Sequence, residues 1–288
     1  MLQLANWPVV VAAALFGAAT GSFLNVCIVR WPEGESIVRP RRSKCPHCGT
    51  GVRGRDNVPV LSWLVLRGRC RGCRAPISTL YPLIELTTAL GWAAAAAAFG
   101  ATVDALRVAV FGTVLLGIAA TDARRMVIPD GFTVFLFVWT LVGSIVSYGS
   151  GGATLFAPPY EALVGACTGA GAIAIIGWLG ELAFKKEAMG FGDVTMMAAV
   201  GAALGPERAL LTVVVGACVG AVASVAVLAP VAWVTHRQRV AAGGGAAGAE
   251  GGFELPPVPF GVFLAPAALL TLLFGDRMIA WYFAAVLP

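Results

Sequence analysis

The chain has 288 residues, 58% of them hydrophobic and only 12% charged, with a mean hydropathy of +0.83. This balance excludes an ordinary soluble domain and predicts a polytopic membrane protein. The net charge of +5 gives no reason to expect a nucleic-acid partner, because positive residues beside short membrane loops act in orientation.

The apolar runs are continuous over about 15–25 residues, which predicts an all-α membrane protein; barrel strands would alternate apolar and polar over about 10. About eight transmembrane helices are expected, near 8–29, 80–99, 105–121, 131–149, 160–183, 194–204, 208–234 and 260–286. The first run has no basic leader before it and no small-residue cleavage site after it, so it reads as a retained helix. The 194–204 run is short for a span, which requires it to be tilted, half-embedded or fused to its neighbour through Leu204-Gly205-Pro206. Gly275-Asp276-Arg277 is expected to break the last run into two.

Three regions follow: a first transmembrane helix over 1–29, a polar module over 30–78, and a membrane core over 79–288 with a Gly/Ala-rich linker at about 241–252. Residues 30–74 hold eleven Arg or Lys against three acids, an excess that places this module on the cytoplasmic side and the amino terminus outside. Alternation of spans then places Arg124-Arg125, Lys185-Lys186 and His236-Arg237-Gln238-Arg239 inside as well, with Arg208 and Arg277 dissenting. No internal repeat is evident.

Cys27, Cys167 and Cys218 lie in apolar runs and read as small buried hydrophobes. The other four cysteines form two Cys-x-x-Cys pairs, Cys45/Cys48 and Cys70/Cys73, at the spacing of a four-thiolate zinc ribbon. Four thiolates leave no position for water, so the zinc is structural; two disulfides or a redox pair are the alternatives, disfavoured in reducing cytoplasm. His47 is redundant as a ligand. Arg67, Arg69, Arg71 and Arg74 read as a solvated basic face against lipid headgroups.

Two acids stand at the ends of apolar runs: Asp122, and Asp193 in Gly190-Phe191-Gly192-Asp193. An ionised carboxylate in such a segment costs about 2.5–3.5 kcal/mol even on lenient insertion scales, so it should face water, protein or a reaction. Both fall on the predicted cytoplasmic side although 71 positions separate them. One ionised and one protonated carboxylate can share a water and hydrolyse a peptide bond. Gly190 and Gly192 would let another backbone approach. Helix capping is the simpler reading of Asp193 alone, and anchoring by Arg124 or Arg125, or solvation at the boundary, that of Asp122. Asp130 suits a cap, Glu85 near the start of the second helix can cap, pair with an Arg or line the site, and Asp104 and Glu161 are expected to be solvated outside.

At this point the residues resemble the type IV prepilin peptidases, the Gly-x-Gly-Asp class of intramembrane aspartic proteases. The motifs are Gly21-Ser-Phe-Leu-Asn25-Val before Arg30-Trp-Pro32, Cys45-Pro-His-Cys48, Asp56-Asn-Val-Pro59, Cys70-Arg-Gly-Cys73, Tyr81-Pro-Leu-Ile-Glu85, Asp122 before Ile128-Pro129-Asp130, the Asp193 motif, and Pro259-Phe260-Gly261. The resemblance implies cleavage of the short basic leader of type IV prepilins or type II secretion pseudopilins, after glycine, with Asp122 and Asp193 as the catalytic pair. It also implies a bacterial inner-membrane protein with its active site facing the cytoplasm, and N-methylation of the new amino terminus with S-adenosylmethionine. That second activity follows from the resemblance alone. One position departs: Thr195 stands where the family usually has Lys, replacing an ammonium that favours an ionised carboxylate. Lys185 or Lys186 can compensate. The other readings are a catalytically inactive assembly paralogue and a proton or cation transporter.

Overall fold

The computed structural model describes residues 7–40, 43–149, 154–185, 189–228, 230 and 258–286. The helices are α1 (Trp7–Arg30), α2 (Leu61–Val65), α3 (Leu80–Phe99), α4 (Val103–Arg125), α5 (Asp130–Gly149), α6 (Pro159–Phe184), α7 (Phe191–Leu204), α8 (Pro206–Ala223) and α9 (Gly261–Val286). Among the described residues there is no strand beyond two isolated bridges. Seven of these helices, all but α2 and α7, are long and apolar enough to cross a membrane. Lys186, the linker at 241–252, and the basic cluster at 236–239 lie outside the described residues, as does the end of the run expected over 208–234.

Local chemistry sets the helix ends. Thr102 caps α4, its Oγ1 accepting from the Ala105 N–H at 3.2 Å, which satisfies an orphan donor of the first turn. Met126 closes the same helix with a left-handed backbone, φ 53°, its N–H returning to the Asp122 carbonyl at 2.8 Å. In α9 the Gly275-Asp276-Arg277 segment causes no break: the helix runs unbroken through it and through Pro266. Gly275 is there for packing, because a Cβ would stand 2.9 Å from the Arg208 side chain.

Small residues let the helices approach. A Cβ on Gly17 would lie 2.7 Å from Trp92, and one on Gly21 2.8 Å from the Glu85 backbone, so α1 lies close against α3. On the opposite side of the bundle, Gly165 of α6 faces Gly201 of α7 so closely that a Cβ on either would run into the other's carbonyl.

α7 is the innermost helix. Met196, Met197, Ala199, Val200 and Ala203 are fully buried. Its 14 residues rise about 21 Å, short of a hydrocarbon core about 30 Å thick. It is not fused to α8: Gly205, at φ 80°, separates them. Protein fills the missing depth. The segment 154–158 folds beneath α7, with the Ala157 N–H donating to the Ala203 carbonyl at 2.9 Å and the Ser144 hydroxyl donating to the Ala157 carbonyl at 2.6 Å. Irregular backbone at such a depth survives only where protein covers and satisfies it.

Two arginines complete that floor, which explains the dissenting positive charge at position 208. Arg208 donates from Nε to the Leu204 carbonyl at 3.0 Å and from Nη1 to the Leu155 carbonyl at 2.9 Å. It thus satisfies acceptors that the end of α7 leaves open. Arg107 is 1% exposed, donates to Ser147 and Thr154, and lies 4.0 Å over the Phe156 ring. Asp104 is held as well, accepting from Thr154 Oγ1 at 2.8 Å, rather than simply solvated. Of the three membrane cysteines only Cys27 is buried; Cys167 and Cys218 are on the outer surface of the bundle.

Candidate active site

The acids meet at one end of the bundle. Arg125 at the close of α4 pairs with Glu33 just past α1 at 2.6 Å, and Trp31 packs edge-on to Phe132 of α5 with centroids 4.5 Å apart. The ends of α1 and α4 and the start of α5 therefore share one level. Ile128 joins this level to the starts of α7 and α9: a Cβ on Gly192 would lie 2.9 Å from Ile128 Cβ, and one on Gly261 3.1 Å from its Cδ1.

Asp122 occupies the last turn of α4 and is 6% exposed. Its Oδ2 accepts the Val262 N–H at 3.2 Å, so this carboxylate caps α9, a helix 140 residues away in the chain. Gly261 makes the approach possible, because a Cβ there would stand 2.9 Å from Oδ2. Asp193 is in the first turn of α7, 9% exposed, with its N–H donating to the Gly190 carbonyl at 3.1 Å. Its Oδ1 is buried without a hydrogen-bond partner among the described residues. Ile128 packs against both Gly192, next to Asp193 in the chain, and Gly261, which touches the Asp122 carboxylate, and so brings the two acid-bearing turns together. A buried carboxylate oxygen left open beside a second carboxylate is costly as pure structure, and it is the arrangement that can take up a water. The capping reading of Asp193 leaves its Oδ1 unexplained, and Asp122 is neither solvated nor left to a neighbouring arginine: it is buried and held by the Val262 N–H.

The other candidate residues separate from this pair. Thr195 donates its hydroxyl to the Gly192 carbonyl at 3.0 Å, within its own helix. Glu85 is away from the acids: its Oε2 accepts the Val60 N–H at 2.7 Å and ties the polar module to α3. Asp130 begins α5 and is exposed. Gly261 and Ile128 hold the two acid-bearing turns together, roles that no local signal in the sequence marks.

The module is built from two equivalent knuckles, a local repeat that is not evident in the sequence. The Cys45 N–H donates to the Thr50 carbonyl and the Cys70 N–H to the Ala75 carbonyl, 25 positions on. The bridges Lys44 to Gly51 and Arg69 to Pro76 match in the same way, as do the left-handed residues Gly49 (φ 69°) and Arg74 (φ 62°). Signals for the repeat are only the two Cys-x-x-Cys pairs, since Arg replaces Gly at the left-handed corner.

All four sulfurs lie within 4.8 Å of one another, Cys45 to Cys73 at 3.8 Å and Cys48 to Cys70 at 4.0 Å. Thiolates at about 2.3 Å from a tetrahedral ion stand about 3.8 Å apart, so the donor set fits a metal without rearrangement. A metal takes cysteine sulfur as thiolate, so binding here would release protons from these groups. His47 is exposed and outside the cluster. Arg71 is not simply a solvated charge. It grips Asp56 bidentately, Nη2 to Oδ1 at 2.6 Å and Nε to Oδ2 at 2.9 Å, and this hydrogen-bonded pairing lowers the Asp56 carboxyl below its ordinary range.

A helical integral membrane protein with two buried carboxylates at one end, and a four-thiol cluster able to hold a metal ion between α1 and α3, is the class that the fold and site define. Its residues 15–99 match the bacterial peptidase A24 N-terminal domain and residues 109–225 the type IV leader peptidase family. The chain belongs to the type IV leader peptidase family. It is similar to the prepilin leader peptidase/N-methyltransferase of Aeromonas hydrophila, 33% identical over 98% of this chain and 97% of that one. The protein of the same name from Burkholderia pseudomallei (strain 1026b) is 37% identical over 91% and 84%. The type 4 prepilin-like proteins leader peptide-processing enzyme of Escherichia coli O78:H11 is 35% identical over 75% and 84%. No solved structure matches the chain.

Proposed function

We propose that Asp122 and Asp193 are the catalytic pair of a prepilin peptidase that removes a short basic leader, after glycine, from a type IV prepilin or type II secretion pseudopilin. Membership of the leader peptidase family supports the reaction and the substrate class. The observation that carries the residue assignment is the buried, unpartnered Oδ1 of Asp193 on a turn that Ile128 links to the Gly261 turn against Asp122.

Each acid has a distinct use. The carboxylate that stays ionised takes a proton from water as it attacks the scissile carbonyl; the protonated partner hydrogen-bonds the carbonyl oxygen as it becomes negative. Two neighbouring carboxylates hold this split state because both cannot ionise cheaply. Asp122 is held by the Val262 N–H, an anchor that fixes its rotamer, whereas Asp193 has an oxygen open to water or substrate. Ile128, between Gly192 and Gly261, holds the spacing of the two turns.

We read this end of the bundle as cytoplasmic and the amino terminus as outside, in a bacterial inner membrane, a reading supported by the excess of positive residues over 30–74. Cys45, Cys48, Cys70 and Cys73 hold zinc, which is structural because four thiolates fill its coordination. The relatives' names include an N-methyltransferase activity; we extend it to this chain, with S-adenosylmethionine as donor to the amino terminus that cleavage exposes.

The experiment is cleavage of a prepilin with a basic leader by purified wild type, Asp122→Asn and Asp193→Asn. Each substitution is expected to abolish cleavage with the thermal melt unchanged. Retained cleavage in either variant ends the paired-acid assignment.

A further inference from the structure

Beside the Asp193 turn a cleft of about 260 Å³ opens between α6 and the start of α7, lined in part by Ile173, Gly177, Trp178, Glu181, Phe191 and Val194. Its chemistry changes along its length. Ile173 to Trp178 is apolar, and Glu181, about 12 Å nearer the module-bearing end than Ile173 at 1.5 Å per residue, is the only acidic or basic side chain among the described lining residues. Between Glu161 at the far end and Glu181, α6 carries no charged side chain. Glu181 is exposed and makes no ion pair with any described residue. Lys185, one turn on, leaves the helix through a left-handed backbone at φ 55°.

We propose that this cleft is the substrate channel of the peptidase, and that Glu181 is a specificity-determining residue that pairs with a cationic side chain of the leader while the apolar walls take the helix that follows the scissile bond. The inference rests on the peptidase reading. Phe191 and Val194 flank Asp193 in sequence and line the cleft, so a peptide lying in it runs along the helix turn that carries Asp193, whose own side chain is not part of the lining. A chain that is cationic on one side of its scissile bond and apolar on the other matches the order of acid and apolar wall. Gly177 leaves the width for it: a Cβ there would stand 3.3 Å from Met189 Cβ, so any larger side chain would narrow the cleft.

The test uses the full-length protein in detergent and two synthetic peptides. One has a Lys/Arg leader, a glycine and an apolar helix; in the other the leader cations are replaced by glutamine. Wild type should cleave the cationic peptide with the higher kcat/KM. Glu181→Gln, an isosteric change at an exposed site, should lower the ratio of the two kcat/KM values about two- to fivefold, the range of an exposed ion pair. The wild-type preference should shrink as salt rises. Gly177→Leu should raise KM for both peptides and leave their ratio unchanged. A ratio unmoved by Glu181→Gln, or a KM unmoved by Gly177→Leu because lipid fills the cleft, overturns the inference while leaving the peptidase reading intact. Failure of wild type to cleave either peptide removes the peptidase reading itself, and the channel with it.

Discussion

A methyl group at position 261 would stand 2.9 Å from Asp122 Oδ2 and 3.1 Å from Ile128 Cδ1, where ordinary contacts begin near 3.4 Å. In Gly261→Ala the carboxylate must therefore retreat by about half an ångström, which is cheap for the end of a side chain. Catalysis is less forgiving. A misplacement of about 1 Å can cost about a hundredfold in rate, so half of that corresponds to about tenfold in kcat. Folding should not suffer, because alanine is favoured over glycine in a helix by up to about 1 kcal/mol and Gly261 opens α9. Kinetics of prepilin cleavage, set beside thermal melts in detergent, should show kcat down about tenfold and Tm unchanged or slightly raised. A wild-type kcat would refute the view that the α9 start positions Asp122.

Arg208→Met strands the Leu204 and Leu155 carbonyls under α7; at about 1–3 kcal/mol for each buried unsatisfied group, a substantial fall in Tm is expected, and an unchanged melt would show that Arg208 is not what seals the floor. Combined Cys45→Ser and Cys48→Ser should remove the roughly one zinc per chain expected by metal analysis; undiminished zinc would place the metal elsewhere. Thr195 spends its hydroxyl on the Gly192 carbonyl, so Thr195→Lys introduces an ammonium where no charge now acts. The pH–rate profile of that variant should be displaced from wild type, and superimposable curves would remove any electrostatic role for the position.

What the chain determines by itself is what nearest neighbours and composition decide. Continuous apolar runs mark α3 to the residue and most other spans to within a few, because a helix in lipid must satisfy its own backbone. The cysteine pairs prescribe the module, since each short turn directs two sulfurs to one point. Motif order names the family because each motif is local. Tertiary structure decided the rest through contacts between distant segments. Nothing near Asp122 in sequence says that the Val262 N–H will hold it, or that Gly261 is absent a side chain for that purpose. Nothing near position 208 says that its arginine is folded under a helix too short to span. That helix can be short because protein rather than lipid surrounds it, and the same enclosure makes the open oxygen of Asp193 costly enough to point to chemistry.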